Sequence, residues 1–507
     1  LMSSLKCCRC WLPAIAVALM LSPKTTDGQT LVSPALQDPQ PAVEEPGTEI
    51  KTIVIYPAAE PDPALRYRFW PAPEKRTSDS PTPFVNRAII LTLQSTNDKS
   101  ARQEYVDRFD AWSAMPLDQL PREEVRKFVR KFGGSALKEL ARSENFMGLD
   151  YDLHLDQLNT AEIVQTLLPE FQEMRQLARL LYLRIRLAVA EQRWQDVVDD
   201  IRLGFRLAEV AGHSTDFLIG RLVGFAISGI MMEAVLEAIE QPDCPNFYWA
   251  LASLPEHRLF ETRDSIEFES VLISRLMAHA KPLPEYPIGA VAARDRIRML
   301  AEQVSSTMGS ALQSRTNDFG AKMMSGLYVV AMADESRELL ATTTDWGERA
   351  RGLSAPEAVL RASLLNFARV RDGWVKWSLL PEDTWAQYKS EQAAAIKDST
   401  SMSDPLSALV GLLTPAVDAA RRAGRRTLQT RNLLSSIEAI RMHAAEHGEL
   451  PKSIENMRPV PSWQDAIALT PFGYHRTSPT TATLTRGERW PGDPESTLKI
   501  ELKKGND

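Results

Sequence analysis

The sharpest chemical pattern in the sequence is His443-Ala-Ala-Glu-His447. It has the H-x-x-E-H form of an inverted zinc-peptidase motif. On a helix, residues four apart share a face, with Cβ atoms about 5–6 Å apart. Two imidazoles so placed can reach one Zn²⁺ at about 2.0–2.1 Å, with Glu446 as candidate general base. A third protein ligand has to come from elsewhere, for example Glu488, Glu495 or Glu501. The competing reading is structural. The motif sits in the last turn of its helix, against Gly448, and only 60 residues follow it. Histidine at a helix C-terminus bonds free carbonyls and suits the negative end of the dipole. The structural reading is preferred, so no catalytic residue, metal or cofactor is assigned. Glu446, His443 and His447 are the candidates should the protein be a zinc-dependent hydrolase.

The other histidines, His154, His213, His257, His279 and His475, show no ligand spacing. No G-x-S-x-G, Walker loop, dinucleotide fingerprint or Ca²⁺ loop is present. The basic cluster Arg421, Arg422, Arg425 and Arg426 reads as a solvated helix face, with an acidic-partner site as the alternative. Arg175, Arg179, Arg184 and Arg186 either line a groove or make surface ion pairs. Trp374 and Trp377 read as helix-contact residues.

These side chains must be carried by 507 residues, 25% charged and 44% hydrophobic, as in ordinary globular protein. With 59 Lys+Arg against 66 Asp+Glu the net charge is −7, which argues against nucleic-acid binding. Lys6 and Arg9 precede an apolar run at 11–21. Eleven helical residues cover roughly 16 Å, half the bilayer core of about 30 Å, so residues 1–28 are expected to be a signal peptide. Thr26 and Gly28 supply the small residues for cleavage, and an uncleaved anchor is the alternative. Cleavage would discard Cys7, Cys8, Cys10, Lys6, Arg9, Lys24 and Asp27, leaving 56 bases, 65 acids, net −9 and one cysteine, Cys244. Cys244 is then expected to be a buried thiol, or else to pair between chains. The localisation implied is periplasm, envelope or medium.

Residues 29–83 hold eleven of the 33 prolines and read as an extended tether, with one short strand near 50–56. Helix follows helix from residue 84. At 122–132, Val125, Phe128, Val129 and Phe132 recur at i, i+3, i+4 and i+7, and Gly133-Gly134 is expected to end that helix. A long helix with Pro169 near its start is expected to run to about residue 191, and a second spans 194–211, closed by Gly212. Together they have the layout of a tetratricopeptide hairpin, although no second copy recurs at that period. In a third helix, at about 215–239, Gly220, Gly224 and Ser228 suit close packing, and Arg221 and Glu233 mark it as a core helix rather than a membrane span. Residues 281–288 read as a linker. Ser354-Ala-Pro-Glu357 is expected to form a capping box opening a helix to about residue 380. Residues 399–405 read as a polar loop. A long helix is expected over 415–447, followed by strands near 472–476, 481–485 and 498–502.

Four segments carry a family resemblance: Ala64-Leu-Arg-Tyr-Arg68; residues 176–212; "PNFYWALASLP" at 245–255; and residues 437–484, with "IEAIRMHAAEHGELPKSI", "RPVPSW", "TPFGYHR" and "TATL". In these the chain resembles a family of secreted proteins of unknown function widespread in planctomycete bacteria, over most of residues 64–486. The resemblance implies an exported, mostly helical protein without assigned activity, and an aromatic residue where this chain has His443. The C-terminal part is also similar in layout to type II secretion pseudopilins, a long helix followed by a small sheet. Where those carry an Asp-Pro-containing loop this chain has residues 463–470, which argues against their Ca²⁺ site here.

The expected fold is therefore mainly α. A helical body at 84–413 contains the tetratricopeptide-like hairpin, and a C-terminal α+β domain at 414–507 joins a long helix to a short antiparallel sheet. The expected role is non-enzymatic protein interaction or envelope structure, with a protein partner, no nucleic acid, and membrane contact only through an uncleaved anchor. The alternatives are the zinc hydrolase and a pseudopilin-related secretion component.

Overall fold

The computed structural model describes residues 49–148, 160–215, 217–276, 283–308, 318–381, 405–455, 457–487 and 496–503, with isolated positions between 384 and 394. The expected signal peptide with Cys7 and Cys10, His154, His279, Glu488, Glu495 and residues 399–404 lie outside the described residues.

The described chain is mainly helical with a small C-terminal mixed sheet. Helices α1 (Thr82–Ser95), α2 (Lys99–Ser113) and α3 (Arg122–Arg142) form the first layer. The apolar face predicted for α3 is buried, but Gly133-Gly134 do not end the helix. The same face resumes at Ala136, Leu137 and Leu140, and burying those side chains outweighs the roughly 1 kcal/mol that a helical glycine costs.

Helix α4 (Thr160–Ala190) begins well before Pro169, which is therefore an interior residue rather than a first-turn one. Gln192, with φ +56°, makes the turn into α5 (Trp194–His213), which runs through Gly212. Helix α6 (Leu218–Ile239) packs against α4 and α5. A Cβ on Gly224 would lie 2.7 Å from the Ala208 carbonyl oxygen, and one on Gly220 2.9 Å from that of Ala211. These contacts confirm the close helix approach read from the small residues. α6 is the one described helix long and apolar enough to cross a membrane, and most of it is buried in protein.

Short helices α7 (Tyr248–Ala252) and α8 (Glu256–Leu259) lead to α9 (Arg263–Leu276), α10 (Ala290–Met308), α11 (Asp318–Thr343) and α12 (Ala355–Val375). Small satellite cores join these helices to one another. The capping box at α12 does not form. Ser354 makes no side-chain cap. The Glu357 carboxylate instead accepts from the backbone N–H groups of Ile288 and Gly289, 2.9 Å each, and pairs with Arg361. A carboxylate with two free amides and a guanidinium in reach gains more there than from one Ncap amide.

Helix α13 (Pro405–His447) is 43 residues long and starts ten residues earlier than expected. Strands β2 (Gly473–Ser478), β3 (Thr481–Thr485) and β4 (Ser496–Leu502) are antiparallel neighbours. The sheet has a fourth strand, β1 (Glu49–Ile55), parallel to β4 with Ile53 opposite Ile500, in the order β1-β4-β3-β2. The tether and the separate C-terminal domain are corrected accordingly. From residue 49 the Pro-rich segment is packed chain: Ile53, Ile55, Phe69 and Trp70 are buried, and one contiguous core runs from Ile53 to Leu502. A high proline content disfavours long helices without preventing packing, and the apolar residues between the prolines decide where the segment lies.

Candidate functional site

The 443–447 motif occupies the last turn of α13, as expected. His443 is half-buried, while Glu446 and His447 are exposed. The two imidazoles stack with centroids 4.1 Å apart and planes 11° from parallel. Ring-nitrogen lone pairs lie in the ring planes, so in this arrangement they run side by side instead of meeting on one ion. His443 Nδ1 lies 3.3 Å from the Arg458 carbonyl oxygen and His447 Nδ1 3.1 Å from that of His443. Burial holds His443 below its ordinary pKa. Glu501 pairs with Lys499 on β4. Among the described residues no three His, Cys, Asp or Glu side chains gather where a metal ion could sit.

Three of the four hairpin arginines make contacts inside the fold. Arg184 makes a two-point pair with Asp200 at 2.5 and 2.7 Å, and Arg179 stacks over Phe109. Arg186 is buried, pairs with Glu237, and donates to the carbonyls of Trp112 and Met115. The 421–426 cluster is not a solvated face: Arg421 is buried and Arg422, Arg425 and Arg426 are half-buried. Trp377 meets this face through its carbonyl oxygen, 3.5 Å from Arg421 Nη2.

Buried arginine tying loop carbonyls to a helix is a recurring device here, and its fullest instance is Arg441 on α13. Arg441 and Glu438 are both fully buried and paired at 2.9 Å. The guanidinium also donates to the carbonyls of Tyr56 (2.9 Å), Cys244 (2.6 Å) and Pro245 (3.4 Å). Asn246 donates to the carbonyls of Ala58 (3.3 Å) and Glu438 (2.9 Å) and accepts from the Tyr248 N–H. Tyr248 in turn meets Trp463, whose ring carries the Arg431 guanidinium 4.2 Å from its centroid. Cys244 is buried and unpaired, and burial pushes its thiol up to about 12, so it is an inert structural thiol. In the 463–470 loop, Asp465 is fully buried and accepts from Gln429 and the N–H groups of Ile467, Ala468 and Gly487. Those donors take the carboxylate that a Ca²⁺ ion would need.

Above this junction lies an open cleft of about 280 Å³, walled by Pro57, Pro61, Arg66 and Tyr67 on one side and Asp243 and Pro245 on the other. Both charged side chains are exposed. Arg66 stacks over Tyr67, its guanidinium carbon 5.4 Å from the ring centroid. Among the described residues neither Arg66 nor Asp243 has an ion-pair partner, and they do not pair with each other. Asp243 has φ +60°, a backbone state that costs a non-glycine residue about 1–2 kcal/mol. Sequence reading missed this site, because its two walls lie far apart in the chain. Tyr67 and Asn246 lie in two segments far apart in the chain. These segments meet here, with the Tyr67 ring edge-on to Phe247 at 5.9 Å.

Elsewhere, two titrating groups flank the start of α6. His213 Nε2 lies 2.7 Å from Arg221 Nη1 and 2.9 Å from the Arg258 carbonyl oxygen, with burial and the Arg221 charge both disfavouring a charged ring. Burial, then Arg221, Arg258 and His257, push His213 down to about 3. Its contribution to stability is intact above the ordinary value of 6.5 and is lost as pH falls from there towards 3, at up to about 1.4 kcal/mol per unit. Glu269, accepting from the Leu218 N–H, is pushed up by burial to about 7. Its contribution is full below 4.5 and lost as pH rises through 7. The two oppose each other between 4.5 and 6.5. Urea midpoints of His213→Gln should therefore rise as pH drops from 7 to 5, and those of Glu269→Gln should fall; parallel profiles for the two variants would refute this assignment.

No family model, no curated protein and no solved structure matches the chain.

Proposed function

We propose that the protein is an exported, non-enzymatic recognition protein that presents the 57–67/243–246 cleft to a peptide partner. One observation carries the reading. Around the cleft the buried charges are matched, as with Arg441 and Glu438, whereas Arg66 and Asp243 stand exposed without ion partners among the described residues. Charge left unsatisfied over a rigid base is what a recognition surface needs. The α4–α5 hairpin is the tetratricopeptide-like feature of this reading, but its residues supply core, so the surface offered to the partner is the cleft and not the hairpin's concave side. Export rests on residues 1–28 and the resemblance to secreted planctomycete proteins. The pseudopilin-related reading draws on the order of α13 and the sheet. Against it, β1 joins that sheet from the other end of the described chain.

Metal analysis separates the proposal from the zinc hydrolase. The purified protein is expected to carry no stoichiometric zinc, before or after His447→Ala. Stoichiometric zinc that disappears in that variant would overturn the non-enzymatic reading.

A further inference from the structure

We infer that the cleft takes a short free peptide of dipeptide size, its terminal carboxylate on Arg66 and its terminal ammonium on Asp243. This rests on the reading of the cleft as the recognition surface and gives that surface its ligand chemistry.

Size comes first. The cleft holds about 280 Å³, at the small end of ligand sites. Two extended residues span about 7 Å, a length that a space of this volume admits. Charge comes second. The interior of a polypeptide offers neither a carboxylate nor an ammonium from its backbone, whereas a free dipeptide offers one of each. The guanidinium fork of Arg66 suits a carboxylate at two points, and Tyr67 beneath it holds that fork in place. Asp243 is held at φ +60° between α6 and the Pro245 wall, where glycine would be free of that conformational cost.

Preorganisation comes third. The Ala58 N–H donates to the Arg441 carbonyl at 3.2 Å, and Asn246 ties Ala58 to Glu438. Both walls are thereby fixed to α13 before any ligand arrives. Pro57, Pro61 and Pro245 add apolar surface that loses little entropy on binding.

The test is calorimetric titration of the full chain at low salt with Gly-Phe, N-acetyl-Gly-Phe and Gly-Phe-amide. Gly-Phe should bind, and blocking either end should weaken binding at least tenfold. Asp243→Asn should lose the preference for a free amino end, and Arg66→Gln the preference for a free carboxylate. Asp243→Gly should bind at least tenfold more weakly while melting no lower than wild type, which a merely structural Asp243 would not do. Absence of Gly-Phe binding, or equal binding of the blocked peptides, overturns the inference. Chromatography of the recovered ligand keeps the two readings apart: cleaved Gly-Phe would refute the non-enzymatic reading while leaving the ligand assignment standing.

Discussion

Arg441→Ala should lower the stability of the protein by about 3–5 kcal/mol, the usual cost of stranding one half of a buried ion pair. Glu438 keeps the Phe247 N–H as a donor, but it stays fully buried with its counter-charge removed. A second variant shows how much of the loss belongs to the pair. If Glu438 were the whole story, Glu438→Leu combined with Arg441→Met would recover most of it, because apolar replacements of a buried pair are often neutral. Here Arg441 also serves the carbonyls of Tyr56, Cys244 and Pro245. Each carbonyl left buried without a donor costs about 1–3 kcal/mol. The double variant should therefore remain well below wild type in urea midpoint. Full recovery would show that the three carbonyl contacts contribute nothing. Because Cys244 and Pro245 line the cleft and Tyr56 precedes its Pro57, hydrogen exchange in Arg441→Ala should accelerate at the amides of Tyr56, Ala58, Cys244 and Asn246.

Gly224→Val is the second large effect. The new Cβ would sit 2.7 Å from the Ala208 carbonyl oxygen and 3.2 Å from the Gly212 backbone. Neither is the end of a side chain that could turn away, so α6 must move off α5. Overpacking of this kind costs about 1–3 kcal/mol, and valine's second methyl places this case at the upper end. Two other glycines supply the contrast. A Cβ on Gly204 would fall 2.0 Å from Met231 Sδ, but a thioether with three rotatable bonds yields more cheaply. Gly229 has nothing within 4 Å of its would-be Cβ, so Gly229→Ala should gain up to about 1 kcal/mol from helix propensity. Urea midpoints should rank Gly229→Ala above wild type, then Gly204→Ala, then Gly224→Val. A Gly224→Val protein as stable as wild type would refute the close approach of α5 and α6.

The sequence by itself determined most of the helices, because their signals are local. Val125, Phe128, Val129 and Phe132 mark the buried face of α3, Gly220, Gly224 and Ser228 mark the contact of α6, and alternation marks β3 and β4. Where local signals misled, a tertiary contact outbid a local preference. Gly133-Gly134 did not stop α3, because the next turn was worth burying. Glu357 left the Ser354 cap for two amides at Ile288 and Gly289. Only the tertiary structure decided the partner of β1, the burial of Phe69 and Trp70, and the cleft. Arg441 meets a carbonyl 385 positions away, and Asn246 one 188 positions away. Nothing in the residues around either end specifies such a meeting. It follows from burying one core that runs from Ile53 to Leu502, which brings the Pro-rich segment and the turn after α6 to the same helix.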